Sequence, residues 1–179
     1  GLGYLAGAVF QAGYAVKVLD AKLEHCNRRQ SLRRIENYRP DVLGLTAMTH
    51  QIDDAAAVAG KYRKTYPEVI TVIGGVHVTA LPAETLRQYP VFDYGIAGEG
   101  EIALVDLIAA LAVDQKKRTN ISGLVYRENG NVIANPPERI RDLNRLPLPD
   151  WRVFPRMKTY NMITSRGCPY TCVFCMRAL

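Results

Sequence analysis

The sequence lacks several features that would assign it to a common class of protein. It contains no run of about 18 apolar residues, so no transmembrane helix is predicted. No signal peptide is visible, and the chain opens on Gly1 instead of a start methionine, which predicts that the native N-terminus is missing. The sequence has neither a G-x-G-x-x-G fingerprint nor a P-loop, so ordinary dinucleotide or nucleotide binding has no support.

Net charge is nearly absent from the first 140 residues. The whole chain carries +6, but the residues from Arg141 onward hold seven basic and two acidic side chains, which leaves +1 for the rest. A basic tail suits nucleic acid, an anionic substrate, an acidic partner surface or a solvated linker. Aromatic residues are not interleaved with the basic residues as base stacking requires, so the linker interpretation is favoured and no nucleic-acid partner is expected.

Cysteine is also sparse, with four residues in a chain of 179. Three of them, Cys168, Cys172 and Cys175, lie within eight positions, whereas Cys26 is distant in sequence. This clustering indicates metal binding in a reducing compartment, so a cytoplasmic location is predicted. Structural zinc would need a fourth ligand, and no histidine lies nearby, while Cys26 is better explained as an ordinary small residue. Three thiolates with an open position favour a cubic iron–sulfur cluster.

Strands and helices alternate along the first part of the chain. Buried strands are predicted at residues 14–19, 41–46, 69–73 and 92–97. Apolar residues at helical spacing fill the segments between them, and Gly13 supplies a stop for the first helix. This alternation predicts an α/β fold with a Rossmann-like, doubly wound parallel sheet. Because the chain begins on a helix, a first strand is expected before Gly1.

The pattern changes in the second part of the chain. A β-hairpin with a glycine turn is predicted at residues 121–134, followed by a proline-rich linker at 138–159. A strand predicted at residues 160–165 leads directly into the cysteines. The predicted divisions are a Rossmann-like domain at 1–115, the hairpin and linker at 116–159, and the start of a further domain at 160–179.

Three of the predicted strands end in chemically marked loops. Ligands of doubly wound sheets bind outside the carboxyl ends of the strands, and glycines there allow close approach to the backbone. A tight turn explains any one loop, but the three together predict a site for a broad, flat ligand. The candidate contacts are Thr46, Met48, Thr49, Gly74, Gly75, Val76, His77, Gly98, Glu99 and Gly100.

Some of these residues have competing interpretations. His77 is a candidate metal ligand, hydrogen-bond donor to the ligand or capping residue, and metal ligation is the least favoured role. Glu99 and Glu101 lie where a helix dipole favours carboxylates, so capping explains both, although Glu99 is also a candidate ligand contact. Phe174 is a candidate to shield a cluster or to pack on an adenine. Arg166 adds positive charge beside an anionic cluster.

The motif T-S-R-G-C-P-Y-x-C-x-F-C, with spacing C-x3-C-x2-C, resembles that of the radical S-adenosylmethionine (SAM) superfamily. Its first six residues resemble the branch that carries an N-terminal cobalamin-binding domain. The blocks G-L-G-Y-L-A at Gly1, G-G-V-H-V-T at Gly74 and G-E-G-E at Gly98 are similar to recurring blocks of that domain. The resemblance therefore covers essentially the whole chain.

The resemblance implies a Rossmann-like domain that holds cobalamin, then a linker, then the first strand and cluster loop of a partial (β/α) barrel. It implies a [4Fe–4S] cluster on Cys168, Cys172 and Cys175 that binds SAM and cleaves it to a 5′-deoxyadenosyl radical. The barrel is expected to continue beyond Leu179, so this chain alone is expected to be an inactive fragment. The D-x-H-x-x-G motif, whose histidine ligates cobalt in many cobalamin proteins, is absent, which leaves the lower cobalt ligand open.

The leading interpretation is part of a cobalamin-dependent radical SAM enzyme that methylates an unactivated carbon. The expected substrate is a small molecule, which includes lipids, tetrapyrroles and natural products, and the expected electron donor is a flavodoxin or ferredoxin. One alternative is a radical SAM oxidoreductase or cyclase that holds no cobalamin. Another is a cobalamin-binding module without radical chemistry. No residue is assigned a catalytic role.

Overall fold

The computed structural model describes residues 1–113, 120–173 and 175. Its helices are α1 (Leu2–Gln11), α2 (Arg28–Tyr38), α3 (Ile52–Thr65), α4 (Val76–Ala80), α5 (Pro82–Gln88) and α6 (Gly100–Val113). Its strands are β1 (Val42–Thr46), β2 (Ile70–Gly74), β3 (Tyr94–Ile96), β4 (Leu124–Glu128) and β5 (Asn131–Ala134). In this part of the chain, no helix has the length and apolar character needed to cross a membrane. Phe174 and the predicted boundary at 115–116 lie outside the described residues.

The strands of the described chain form one sheet in the order β1-β2-β3-β4-β5. Strands β1, β2 and β3 are parallel, whereas β4 pairs antiparallel with β3 and β5 antiparallel with β4. The Rossmann-like α/β fold predicted from the sequence is therefore confirmed. The predicted hairpin also forms, and it extends the parallel sheet by two antiparallel strands.

Helices cover both faces of the sheet, as expected for a doubly wound fold. Successive strand residues point to opposite faces, so Ile73 packs with Leu86 of α5 on one side, in a cluster that also contains residues of α3 and α4. On the other side Val72 packs in a cluster with Leu107 of α6. Helix α1 packs against α6 on this second side.

Helix α1 ends where the sequence predicts. Gly13 has a positive φ of 87°, and its N–H donates to Phe10 O at 3.0 Å while the Tyr14 N–H donates to Val9 O at 3.2 Å. These two bonds form a Schellman motif, which favours glycine because only glycine adopts this conformation without strain.

Two predicted strands do not form in the described chain. Residues 14–19 and 160–165 belong to no sheet pairing. A strand needs a neighbour that satisfies its backbone groups, and in the second segment the N–H and C=O of Ile163 both bond to the hydroxyl of Tyr4 instead. The side chains of Met162 and Ile163 are also exposed, so no buried face holds this segment as a strand.

The predicted linker packs closely on α1 through two glycines. Gly3 and Gly7 lie one turn apart on the same helix face. A Cβ on Gly7 would lie 2.5 Å from Leu148 O, and one on Gly3 would lie 3.2 Å from Pro149 Cβ. The Asp150 N–H donates to Gly3 O at 2.9 Å. The absence of side chains at these two positions therefore allows residues 147–150 to lie against the helix.

We expect Gly7→Ala to destabilise the fold and to release this segment from α1. The new methyl group would overlap a backbone carbonyl, and overpacking of this kind costs about 1–3 kcal/mol. Thermal unfolding and faster hydrogen exchange at the Asp150 amide would measure the effect. The matched control is Gly60→Ala inside α3, where the new Cβ would meet only Val91 Cγ2 at 3.6 Å. That variant should gain about 0.5–1 kcal/mol from helix propensity, and equal behaviour of the two variants would contradict the packing.

Candidate functional site

The carboxyl ends of the three parallel strands lie in one row. Thr46 of β1 pairs with Gly74 of β2, and Gly74 pairs with Ile96 of β3. The segments that follow these residues are the three that the sequence singled out: the β1 loop (residues 47–51), the β2 loop (75–81, which includes α4) and the β3 loop (97–101, which includes the start of α6). The sheet thus brings the candidate contacts in these loops to the same edge.

The β1 and β2 loops cross with very little space between them. The Ala47 N–H donates to Gly74 O at 3.1 Å, and the His77 N–H donates to Ala47 O at 3.2 Å. Gly75 lies between these bonds with a φ of +98°, and a Cβ there would lie 2.6 Å from Thr46 Oγ1 and 2.9 Å from Ala47 O. Both the backbone conformation and the lack of space require glycine at this position.

The side chain of His77 packs beside this crossing. Its side chain is buried, and its Nδ1 lies 3.3 Å from Thr49 Oγ1. Its ring meets the Tyr89 ring edge to face, with 6.5 Å between centroids. The Tyr89 hydroxyl donates to Asp53 at 2.7 Å, and this bond raises the pKa of Tyr89 above its ordinary value. These contacts give His77 a packing role between the β1 and β2 loops.

The hydroxyl of Thr79 connects the β2 loop to the β3 loop. It donates to Gly75 O at 2.9 Å and accepts from the Gly98 N–H at 3.0 Å. The sequence placed Thr79 in a hydroxyl-rich loop and did not predict this bridge. The three loops are therefore joined by direct hydrogen bonds along this edge.

The backbone at Gly44 of β1 and at Gly74 of β2 is accessible beside this edge, and we call this surface the open strip. Strand β1 is less buried than predicted, since Gly44 and Thr46 are exposed at the edge of the described sheet. A Cβ on Gly44 would meet no atom within 4 Å, and one on Gly74 would meet none nearer than 3.8 Å. Met48 and Val76 add exposed apolar side chains. Open backbone with apolar side chains beside it fits a broad, partly apolar ligand.

The β3 loop forms a largely buried ion pair with the cysteine motif. Arg166 donates from Nη2 to Glu101 Oε1 at 2.6 Å and from Nη1 to Glu101 Oε2 at 3.1 Å. Arg166 Nη1 also lies 3.4 Å from Glu99 Oε1, while Glu99 Oε2 accepts from the Ile140 N–H at 2.7 Å. The hydrogen bond to Glu101 raises the pKa of Arg166. The predicted contact of Glu99 with a ligand stays a prediction, because both of its oxygens have protein partners here.

Tyr4 makes a second contact with the segment before the cysteines, and the sequence did not predict this contact. Its hydroxyl donates to Ile163 O at 2.6 Å and accepts from the Ile163 N–H at 3.2 Å. The guanidinium carbon of Arg166 lies 5.3 Å from the centre of the Tyr4 ring. The segment before the cysteines is thus attached to α1 as well as to the β3 loop.

The three clustered cysteines are free and exposed, whereas Cys26 is free and half-buried. The Cys175 N–H donates to Cys172 O at 3.1 Å, which makes a tight turn between two of the thiols. Among the residues that the structure describes, no three histidine, cysteine or carboxylate side chains are gathered as they would be around a metal ion. Three accessible soft donors in one short loop nevertheless match the donor set of an iron–sulfur cluster.

In open α/β sheets of the Rossmann type, ligands bind outside the carboxyl ends of the strands. Residues 1–108 match the B12 binding domain family, and the chain belongs to this family. The resemblance to radical SAM enzymes with an N-terminal cobalamin-binding domain, stated from the sequence, is confirmed by this match and by the relatives that the chain resembles.

Two curated relatives align with nearly the whole chain. An uncharacterized methyltransferase, PH0819 of Pyrococcus horikoshii, is 36% identical over 100% of this chain and 40% of its own length. An anaerobic magnesium-protoporphyrin IX monomethyl ester cyclase of Rubrivivax gelatinosus is 33% identical over 97% of this chain and 34% of its own length. The chain thus spans about two fifths of the first relative and a third of the second.

A solved structure shows the same fold. The apo form of the cobalamin-dependent SAM radical enzyme OxsB superposes with a TM-score of 0.73 at 23% identity, over 94% of this chain and 24% of that one. At this identity the likeness supports the fold alone.

Proposed function

We propose that this chain is the cobalamin-binding part, with the cluster loop, of a radical SAM enzyme that methylates an unactivated carbon. The observation that carries the proposal is the Arg166–Glu101 ion pair, which brings the cysteine motif to the carboxyl edge of a B12-type sheet. The two proposed cofactor sites would then lie on one side of the domain.

The open strip beside β1 and β2 fits cobalamin. Cobalamin is a broad ligand with an extended nucleotide tail, and the glycines at 44 and 74 leave the backbone accessible to it. In this proposal Thr46, Met48, Thr49 and Val76 contact the cofactor, and Gly75 shapes the crossing beneath it. The buried His77 orients the Thr49 loop.

The cysteine loop fits a [4Fe–4S] cluster by its donor chemistry. Cys168, Cys172 and Cys175 would bind three of the irons, which leaves the fourth iron for SAM. A bound cluster of this kind supplies the electron that cleaves SAM. The chain itself provides the thiolates, the turn between Cys172 and Cys175 and the positive charge of Arg166 near the loop.

The substrate and the electron donor belong to the whole protein. We propose a small-molecule substrate, such as a lipid, tetrapyrrole or natural product, and a flavodoxin or ferredoxin as donor. A second candidate reaction is ring formation, because one relative of similar identity is a cyclase that acts on a magnesium porphyrin. Methylation is preferred because the relative with the higher identity is a methyltransferase.

The proposal is tested with SAM and dithionite on the intact protein after anaerobic reconstitution with iron, sulfide and hydroxocobalamin. We expect both 5′-deoxyadenosine and S-adenosylhomocysteine, since loss of a methyl group from SAM leaves S-adenosylhomocysteine. The first product without the second would favour the cyclase or oxidoreductase. Cobalamin binding with neither product would favour a binding module without radical chemistry.

A further inference from the structure

Arg166, Glu99 and Glu101 form a largely buried ionic contact between the β3 loop and the cysteine motif, which we call the seat. The side chains of Arg166, Glu99 and Glu101 are only 15%, 11% and 7% exposed. A guanidinium that faces a carboxylate with two parallel hydrogen bonds makes the strongest and most directional ion pair available to side chains. Because this pair is shielded from water, salt weakens it much less than a surface pair.

The charges and the geometry of the seat favour arginine at position 166. Two carboxylates face one guanidinium, so loss of Arg166 would leave two negative charges together in a nearly buried place. A buried charge without its partner is strongly destabilising. Lysine would restore the charge but not the planar fork that bonds both oxygens of Glu101. The seat is therefore favourable with arginine at position 166 and unfavourable with a neutral side chain docked there.

Tyr4 holds the same segment at a second point. Its hydroxyl satisfies both backbone groups of Ile163, and its ring lies beside the Arg166 guanidinium. A cation at this distance from an aromatic ring is attracted to it. The two anchors are three residues apart in the segment, and they belong to separate elements, α1 and the β3 loop. Two such anchors fix both the position and the direction of the chain that enters Cys168.

We propose that Arg166 is a positioning residue that seats the cysteine loop on the cobalamin-binding domain and so sets the distance between the cluster and the corrin. On this proposal Glu101, whose position in the sequence suggests a helix cap, binds Arg166 and so holds the cysteine loop. Glu99 connects this contact to the linker, because it accepts a hydrogen bond from the Ile140 N–H. The naming of the two cofactors rests on the proposed function. The seat itself rests only on contacts within the chain.

Hydrogen exchange of the intact protein without cofactors tests the seat. We expect the Ile163 amide to exchange at least about tenfold faster in Arg166→Gln and in Tyr4→Phe, with Arg166→Lys between them and the wild type. Unchanged exchange in α3, which packs on the other face of the sheet, would show that the domain remains folded. The control is Arg87→Gln, which breaks an ion pair with Glu84 whose partners are 58% and 59% exposed, and it should leave Ile163 unaffected. Wild-type exchange at Ile163 in folded Arg166→Gln and Tyr4→Phe proteins overturns the proposal.

A second measurement separates this inference from the proposed function. Pulsed electron paramagnetic resonance of the reduced, cobalamin-loaded protein reports the distance between the cluster and cob(II)alamin. We expect one narrow distribution in the wild type and a broader or shifted one in Arg166→Gln, with the two proteins compared at matched iron and cobalt contents. An identical distribution in the two proteins overturns the positioning role. If the wild type shows neither signal, the proposed function fails, and the exchange result alone decides whether the seat exists.

Discussion

Replacement of Cys172 by alanine is expected to abolish cluster binding in the reconstituted protein. With only three thiolates for the cluster, the loss of one leaves two protein ligands, which is too few to hold a cubic cluster with one open iron. Iron and sulfide per chain should fall to near the background of a sample reconstituted without protein. The visible absorbance and the low-temperature paramagnetic signal of the reduced cluster should disappear with them.

The matched control for this prediction is Cys26→Ala. Cys26 is a free thiol that donates weakly to Glu24 O at 3.5 Å, and it lies outside the cysteine motif. This variant should retain the full iron content. Equal loss of iron in both variants would instead indicate a closed site with four thiolates, of the kind that zinc prefers. Full iron retention in Cys172→Ala would exclude the three-thiolate site.

Gly75→Ala is expected to be the most damaging single substitution in the strand-end loops. The new Cβ would lie 2.6 Å from Thr46 Oγ1 and 2.9 Å from Ala47 O, on a residue with a φ of +98°. Backbone strain of this type costs about 1–3 kcal/mol. For a chain of this size, each kcal/mol lowers the melting temperature by about 2–4 °C. Thermal unfolding followed by circular dichroism would measure the loss, and hydroxocobalamin binding should weaken in parallel because the loop crossing is displaced.

Its neighbour provides the control. Gly74→Ala places a Cβ no nearer than 3.8 Å to any atom, and Gly74 has no positive φ. We therefore expect its melting temperature to stay close to that of the wild type. If the two substitutions lower the melting temperature equally, the steric account of the β1–β2 crossing is wrong.

The sequence predicts those elements whose signals are local. Gly13 ends α1 through its own conformation, and the apolar run that enters Gly74 and Gly75 marks both a strand and its terminus. Each of these features is contained within a few neighbouring residues. The strands at β1, β2 and β3 and the hairpin follow from such signals.

The missed features depend on partners that are remote in sequence. Residues 160–165 have the composition of a strand, yet no strand lies beside them in the described chain, and Tyr4, 159 residues away from Ile163, takes up the backbone groups of that residue instead. In the same way, a local pattern cannot show that the predicted hairpin pairs with β3 and extends the parallel sheet.

For the candidate site, the sequence identified the loops and the cysteines but not how they are joined. The pairing of Arg166 with Glu101 spans 65 residues. Its only signal in the sequence is an arginine beside the first cysteine and two glutamates in one short loop, and a helix dipole already explains the glutamates. The roles of His77 and Thr79 as internal supports were likewise hidden, since both residue types also suit ligand binding.

We propose that one chain holds both a corrin and an iron–sulfur cluster. The most direct test is gel filtration of the reconstituted intact protein after loading with hydroxocobalamin, with cobalt and iron measured in the protein fraction. We expect about one cobalt and about four iron atoms per chain, which corresponds to one cobalamin and one [4Fe–4S] cluster. A protein fraction that carries the iron but no cobalt and no corrin absorbance would contradict it.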